Sequence, residues 1–265
     1  MRSLFFFEFV DHITRQASES RRHSPPAAFR CISLAVACEQ AVREALYKER
    51  GFKMRKLAVV AFALCVLAGA AARAEDKDGW VTILDEKSFK DWTLMPGKAG
   101  VTVEDSDGLK KFDKGQWSFK DGVLKGEGEV SHIFSPRNDY ENFQFKATIK
   151  ISDKGNSGQY FRTAKGNGFP KGYEAQVNST HGDPKRTGSL YNFVDVKEML
   201  VPPDTWFTQE VIAEGNHIII KVNDKVVVDY NDPKSTYMKG HFAFQQHNLG
   251  SVVEVKDVMV KEIKK

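Results

Sequence analysis

The sequence is poor in cysteine, and the cysteines that it has are confined to one part of the chain. Cys31, Cys38 and Cys65 all precede residue 75, so residues 75–265 contain none. A disulfide framework and a cysteine-based metal or redox centre are therefore excluded from that segment. A segment of about 190 residues is long enough to be stabilised by a hydrophobic core alone.

Motifs of several large enzyme classes are also absent. The sequence has no glycine-rich phosphate loop, no closely spaced His and Cys ligands and no Gly-x-Ser-x-Gly segment. Asp105-Ser106-Asp107-Gly108 resembles a fragment of a calcium loop but lacks the distal ligands, so we interpret it as a turn.

A basic excess is missing once the first 74 residues are set aside. The chain has 39 Lys and Arg and 35 Asp and Glu, of which 12 and 6 respectively lie in residues 1–74. The remaining 27 basic and 29 acidic residues give residues 75–265 a formal net charge of −2, against +4 for the whole chain. This balance argues against a nucleic-acid partner.

Residues 54–74 have the three parts of a secretory signal peptide. Two cations follow Met54, an apolar run of about a dozen residues comes next, and Ala72-Arg73-Ala74 supplies the small-x-small cleavage pattern. The run is shorter than the roughly 20 apolar residues that span a bilayer. We expect cleavage near Ala74, export to the periplasm or the extracellular space, and no transmembrane anchor in the mature protein.

Residues 1–53 precede this signal and show no sustained strand pattern. They are rich in arginine and are broken by Ser24-Pro25-Pro26. One hypothesis is that Met54 is the true start, and that residues 1–53 are a leader from a miscalled start codon or a disordered extension. The alternative is an unusually long signal region with an amphipathic helix around residues 31–47.

Residues 75–265 alternate polar and apolar residues, with turn residues every 8–12 positions and no long helical period. The clearest element is a hairpin in which residues 216–222 and 225–230 flank Asn223-Asp224, since both turn residues tolerate positive φ. Further strands are predicted at residues 116–119, 123–127, 143–151, 159–163, 173–178, 205–213, 240–247 and 252–261. The pattern predicts one all-β domain, a sandwich of two antiparallel sheets, with the long loop at 180–204 on its rim.

Alternation within three of these strands places polar side chains on shared faces. The predicted pairs are Glu174 with Gln176, Gln245 with His247, and Tyr160 with Arg162. Such faces suit a polyhydroxylated ligand, with a carboxylate and an imidazole available for proton transfer. The alternative is that these faces are simply solvated, as outer faces of antiparallel sheets usually are.

Three ordered blocks carry a family resemblance: Asn156-Ser157-Gly158 followed by Phe161-Arg162, Gly172-Tyr173-Glu174-Ala175-Gln176, and Gln245-Gln246-His247. With them, residues 79–262 resemble the 3-keto-disaccharide hydrolase family, also described as 3-keto-glucoside 1,2-lyase or 3-keto-2-hydroxyglucal hydratase domains and formerly as a domain of unknown function. The resemblance implies a concanavalin-like jelly-roll β-sandwich whose concave sheet holds a sugar or glycoside.

The resemblance also implies a reaction. A ketone at C3 acidifies the C2 hydrogen, a base removes it, and the C1 substituent leaves by elimination. Water can then add to the 2-hydroxyglycal, so that the net change is glycoside hydrolysis. These steps need a base, an acid for the leaving oxygen and a group that stabilises the enolate.

On this resemblance, Glu174 and His247 are the candidates for base and acid, and Arg162 is the candidate for stabilising negative charge. The predicted substrate-binding residues are Gln176, Tyr191, Gln245 and His181. A carboxylate and an imidazole leave room for a divalent metal ion, which the sequence does not decide. Asn178 stands where the family usually has Asp, which weakens a metal or acid role at that position.

Two other functions stay open at this point. One is a non-catalytic, lectin-like carbohydrate-binding module, because a fold does not determine a function. The other is a surface interaction protein with a vestigial site. Glu174, Arg162 and His247 together favour the enzyme, since sugar binding alone needs aromatic rings and amides more than a proton-transfer pair.

Overall fold

The computed structural model describes residues 78–264. The predicted signal peptide at 54–74 and the predicted leader at 1–53 therefore lie outside the described residues. Between residues 78 and 264, no helix has the length and apolar character needed to cross a membrane.

The described residues form two antiparallel sheets, as the alternation predicts. The larger sheet consists of β1 (Val81–Thr82), β3 (Glu104–Ser106), β4 (Leu109–Phe112), β5 (Gly115–Lys120), β6 (Val123–Gly128), β8 (Phe143–Ile151), β11 (Phe207–Glu214), β12 (His217–Val222), β13 (Lys225–Asn231) and β15 (Val252–Glu262). The smaller sheet consists of β2 (Thr93–Pro96), β7 (Ser131–Phe134), β9 (Ser157–Thr163), β10 (Tyr173–Val177) and β14 (His241–Gln246). A short 3-10 helix, Phe89–Asp91, precedes β2.

The strand order confirms the predicted β-sandwich of jelly-roll type. The larger sheet runs β13-β12-β11-β8-β15-β6-β5-β4-β3, with β1 also paired to β15. The smaller sheet runs β10-β9-β14-β7-β2. Strands distant in sequence, such as β14 between β9 and β7, are neighbours in the sheet, as the crossovers of a jelly roll require.

The core between the sheets combines aliphatic side chains with a group of aromatic rings in mutual contact. Phe145 of β8 stacks on Phe242 of β14 with ring centroids 3.9 Å apart, and Phe143 meets Phe242 edge-on at 4.8 Å. All three rings are fully buried. Each such burial contributes about 1.5–3 kcal/mol to stability, so these contacts hold the two sheets together.

The predicted hairpin is confirmed at its turn. β12 and β13 are joined by Asn223 and Asp224, whose φ angles are 48° and 64°. Two consecutive positive φ values match the right-handed twist of a hairpin, and Asn and Asp adopt them more readily than most residues.

The two sheets differ in what covers their outer faces, meaning the faces turned away from each other. Residues of β8 alternate between buried and partly exposed, so the outer face of the larger sheet is solvated. Every residue of β7, β9, β10 and β14 is buried, so these four strands of the smaller sheet are covered on both faces. The polar outer face of the smaller sheet is therefore not simply solvated, in contrast to the alternative that the alternation left open.

Candidate functional site

A cavity of about 450 Å³ lies on the outer face of the smaller sheet. Its volume falls within the range of small-molecule sites. Strands β9, β10 and β14 supply its floor, and the segments before and after β10 supply its walls. The lining residues are Asn156, Tyr160, Phe169, Pro170, Lys171, Gly172, Glu174, Gln176, Asp183, Tyr191, Asn192, Phe193, Tyr237, Gln245 and His247.

The structure brings together most of the residues singled out in the sequence. Glu174, Gln176, Tyr191, Gln245 and His247 all line this cavity. The remaining substrate-binding candidate, His181, lies beside it, with its ring centroid 5.5 Å from that of His247.

Glu174 lies on the cavity floor with only 8% of its surface exposed. Burial raises the pKa of its carboxyl to about 8, and the nearby charge of Asp183 adds to the increase, while a hydrogen bond from Tyr160 opposes it. A carboxyl with such a pKa exchanges protons near neutral pH, as a general acid or base must.

A missing side chain makes room for this carboxyl. Gly158 of β9 pairs with Gln176 of β10, beside Glu174. A Cβ atom at position 158 would lie 2.2 Å from Glu174 Oε1, closer than non-bonded atoms can approach. The carboxyl therefore occupies its place only because residue 158 is glycine.

A chain of hydrogen bonds orients the second oxygen of Glu174. The Tyr160 hydroxyl donates to Glu174 Oε2 at 2.8 Å, and Gln245 Nε2 donates to the Tyr160 oxygen at 3.0 Å. Gln245 Nε2 also lies 3.2 Å from Nε2 of the fully buried His132. Because an amide nitrogen only donates, the Tyr160 oxygen accepts and its own proton is directed to Glu174.

His132 completes this chain as a neutral acceptor. Burial lowers the pKa of its imidazole to about 3, and the neighbouring His247 contributes to the decrease. A neutral His132 with an unprotonated Nε2 accepts the hydrogen bond from Gln245. Burial and the Glu174 carboxyl raise the pKa of Tyr160 well above its usual value, which keeps the phenol protonated as a donor.

Gln176 contacts the other oxygen of Glu174. With its amide nitrogen turned toward the acceptors, it donates to Glu174 Oε1 at 3.2 Å and to the Ser157 carbonyl oxygen at 2.9 Å. Both carboxyl oxygens of Glu174 thus have donors from neighbouring positions of the sheet.

The predicted rim loop supplies one wall of the cavity. Gly188 N and Tyr191 N donate to the carbonyl oxygens of Gln176 and Glu174, so this part of the loop follows the free edge of β10. The Tyr191 hydroxyl donates to Asp183 Oδ2 at 3.1 Å. Burial, the hydrogen bond to Asp183 and its charge raise the pKa of Tyr191.

Two histidines face each other where the loop meets the end of β14. His181 Nδ1 accepts from the backbone N–H of Asp183 at 3.1 Å and lies 3.2 Å from Asn156 Nδ2. Burial and the neighbouring His247 lower the pKa of His181. His247 Nδ1 lies 3.1 Å from Asn248 Oδ1.

Asn178 has a structural role that an aspartate could not fill in the same way. Its Nδ2 donates to the carbonyl oxygens of Asp183 and Lys185 at 2.9 and 2.8 Å, and its Oδ1 accepts from His181 N at 2.9 Å. The amide thereby shapes the turn that carries His181 and Asp183.

The predicted shared orientation of Tyr160 and Arg162 is wrong. Tyr160 pairs with Ala243 and Thr163 with His241, so two residues of β9 oppose one residue of β14. This β-bulge interrupts the alternation on which the prediction rests. Arg162 sits in the bulge with a φ of 49°.

The bulge places Arg162 outside the set of residues that line the cavity. Its guanidinium donates to the carbonyl oxygens of Glu141, Gly215 and Tyr237 at 2.9, 2.7 and 3.2 Å. It also lies over the ring of Phe143, 5.8 Å from the centroid. These contacts join strand ends, and they give no support to a role in stabilising charge on a substrate.

Several cavity residues were missed in the sequence. Alternation places Tyr160 on a polar face of its strand, but it predicts no role for this residue in the site. Phe169 lies in the segment Gly166-Asn167-Gly168-Phe169-Pro170. A large apolar residue among turn residues is a pattern from which a binding residue could have been predicted. Lys171 and Asp183 carry no comparable signal, because their placement depends on how two loops fold over the sheet.

Within residues 78–264, no three His, Cys, Asp or Glu side chains gather as a metal site would require. Glu174 and His247 remain the carboxylate and imidazole that could contribute to one. The divalent ion stays a prediction without a gathered ligand set.

Comparisons with known proteins agree on one family and one fold. Residues 79–261 match the model of the 3-keto-alpha-glucoside-1,2-lyase-like domain. A 3-keto-disaccharide hydrolase of Bacteroides thetaiotaomicron is 24% identical over 188 residues, which are 59% of this chain and 60% of that protein. The chain thus spans less than two thirds of that relative's length.

Two crystal structures from Parabacteroides distasonis, both of provisionally named glycosyl hydrolases, share the fold. The first superposes with a TM-score of 0.58 at 22% identity, covering 72% of this chain and 96% of the other. The second has a TM-score of 0.54 at 18% identity, covering 69% and 99%.

Proposed function

The chain belongs to the family of 3-keto-alpha-glucoside-1,2-lyase-like domains, and from this we propose that its cavity binds 3-keto-glycosides and cleaves them by elimination at C1. The observation that carries the proposal is the buried Glu174 carboxyl, with a pKa near 8, in a cavity that also contains His247. Burying a carboxyl away from water costs free energy. Carbohydrate binding without catalysis does not require such a buried group, whereas proton transfer uses its raised pKa.

Glu174 is the proposed base. As a carboxylate it takes the C2 proton, and the electrons of the C2–H bond pass into an enolate whose oxygen is the former C3 ketone. Its raised pKa makes it a stronger base than an exposed glutamate. The donors Tyr160 and Gln176 hold the carboxyl in one orientation, which reduces the reorganisation needed for proton transfer.

His247 is the proposed acid. As the enolate re-forms the ketone, the C1–O bond breaks and the leaving oxygen takes a proton from the protonated imidazole ring, which becomes neutral. The products are the free aglycone and a 2-hydroxyglycal. Addition of water at C1, with return of a proton to C2, would complete hydrolysis to the 3-keto-sugar.

Lys171 is the proposed source of positive charge for the enolate, in place of Arg162. Among the described residues, it is the one lysine or arginine that lines the cavity. A cation close to a developing oxyanion stabilises the transition state. Gln245 and Tyr191 are the proposed hydroxyl-binding residues.

The test is to incubate the protein with 4-nitrophenyl 3-keto-glucoside and follow release of 4-nitrophenol. The proposal expects release well above buffer that is slowed by deuterium at C2. His247→Ala should slow cleavage of methyl 3-keto-glucoside more than that of the 4-nitrophenyl substrate, because methoxide needs a proton to leave and 4-nitrophenolate does not. The matched control is His217→Ala, at an exposed hairpin histidine paired with Asp229.

Two outcomes would oppose the proposal in different ways. Sugar affinity without any release would favour the carbohydrate-binding module. Release that is insensitive to deuterium at C2 would indicate direct hydrolysis at C1.

We propose in addition that the protein is exported by the signal at residues 54–74. N-terminal sequencing of the exported protein tests this, because a mature terminus upstream of Ala72 would contradict it.

A further inference from the structure

Phe169 is an exposed aromatic ring on the wall of the cavity. It leaves 63% of its surface exposed, although it lines the same cavity as Glu174 and His247. Other large exposed apolar residues of the described chain, Met199, Val226, Met238 and Leu249, do not line it. A large apolar ring left in water at a cavity is typical of a binding surface.

The loop that carries Phe169 is fixed at both its base and its middle. At the base, Ala164 N and Thr163 Oγ1 donate to the Lys171 carbonyl oxygen at 2.8 and 2.9 Å. In the middle, Asn167 Nδ2 donates to the Pro96 carbonyl oxygen at 2.8 Å. The ring is therefore held in place by hydrogen bonds of its loop and not by burial of its own surface.

The neighbours of the ring show which part of a substrate it would meet. Its centroid lies 5.6 Å from that of His247 and 6.4 Å from that of His132. In the proposed reaction His247 protonates the leaving oxygen at C1. A group attached to that oxygen would extend past His247 along the wall that Phe169 forms.

We propose that Phe169 forms a stacking subsite for the leaving group, and that the preferred substrates carry an aromatic or similarly flat apolar aglycone. This subsite rests on the proposed function, because the role proposed for His247 determines on which side of the cavity the leaving group lies. An aromatic aglycone stacks on the ring and buries its exposed face, whereas a methyl group is too small to do so.

The experiment compares 4-nitrophenyl and methyl 3-keto-glucosides in the wild type and in Phe169→Ala. The variant is expected to lower kcat/KM for the aryl substrate by about three- to tenfold, the usual contribution of one aromatic contact, and to leave the methyl substrate unchanged. Phe169→Leu, which keeps apolar bulk without a flat face, should fall between them. Leu249→Ala, at an apolar residue that is 74% exposed and does not line the cavity, is the matched control.

The outcomes separate this subsite from the proposed function. If the wild type turns over both substrates and Phe169→Ala keeps the same aryl-to-methyl ratio, the subsite is overturned and the function stands. An equal loss for both substrates also overturns it, since the ring would then act on the sugar. If the wild type releases neither aglycone, calorimetric binding of 4-nitrophenyl and methyl glucosides decides: a preference lost in Phe169→Ala supports the subsite, and an unchanged preference overturns it.

Discussion

The outer faces of the two sheets arise from a similar alternation of polar and apolar residues. One of these faces is hydrated, and the other is largely buried. On the larger sheet, Lys150 and Glu254 form an ion pair at 2.5 Å with about a quarter of each side chain exposed. On the smaller sheet, His132, Glu174 and Gln245 are buried and bond to one another or to shared partners.

The difference shows how covering a polar face changes its chemistry. Water hydrates the charges of the larger sheet, so their pairing contributes little to stability. Loops exclude water from the smaller sheet, so each polar group needs a protein partner and the carboxyl pKa rises. The same residue types are hydrated charges on one sheet and a buried, hydrogen-bonded cluster on the other.

The largest expected difference between the two faces is catalytic. Glu174→Gln removes the proposed base and should lower kcat for 3-keto-glucoside cleavage by about 10²- to 10⁴-fold. Glu254→Gln, the matched change on the larger sheet, should leave kcat unchanged. Steady-state kinetics of the two variants check this, and equal rates for Glu174→Gln and the wild type would assign the base to another residue.

The pH dependence of the variant His247→Ala isolates the proposed base from the proposed acid. A base must be unprotonated, so kcat/KM of this variant for the 4-nitrophenyl substrate should rise with pH and level off above about pH 8, where the Glu174 carboxyl ionises. A rate that instead falls as pH rises through this range would mean that Glu174 acts as the acid.

The next largest expected effect is on how the unfolding free energy depends on pH. The folded pKa of Glu174, about 8, lies above its ordinary 4.5, so the folded state holds the extra proton between these values. This contribution is fully present below about pH 4.5 and is lost as pH rises through 8. Relative to Glu174→Gln, the wild type should therefore lose about 2–5 kcal/mol of unfolding free energy between pH 4.5 and 9.

Denaturant titrations at several pH values measure this loss. Glu254→Gln should show no comparable pH-dependent difference from the wild type. Parallel pH curves for the wild type and Glu174→Gln would show that water reaches the carboxyl.

A smaller difference is expected between buried and exposed histidines. His132→Leu leaves a buried Gln245 donor without its acceptor and should cost about 1–3 kcal/mol. His217→Leu breaks an exposed pair with Asp229 and should cost less than about 1 kcal/mol. Thermal unfolding compares the two, and equal costs would contradict the role of His132 as a buried acceptor.

The smallest effect belongs to the ion pair of the larger sheet. Lys150→Met should change the unfolding free energy by about 0–1 kcal/mol, with the difference shrinking in high salt. A loss of several kcal/mol, independent of salt, would show that this face is less hydrated than its exposure indicates.

Local patterns in the sequence predict the fold and part of the site. Asn223-Asp224 specifies the hairpin turn, and alternation correctly places Glu174 with Gln176 because β10 is regular. Alternation fails for Arg162 because a bulge, which no local pattern announced, turns its side chain away. Asp183 and Lys171 could not be placed, since their positions depend on loops that fold over a sheet assembled from distant strands.

The glycine at position 158 limits how this site could be moved to another protein. A designer who copied Glu174, Tyr160 and Gln245 onto a different sandwich would also have to place glycine at the position that corresponds to 158. A single methyl group there would collide with Glu174 Oε1, although it would change no charge and no hydrogen-bonding group. An inactive relative could therefore retain every polar residue of the cavity and differ by an alanine in the strand beside it.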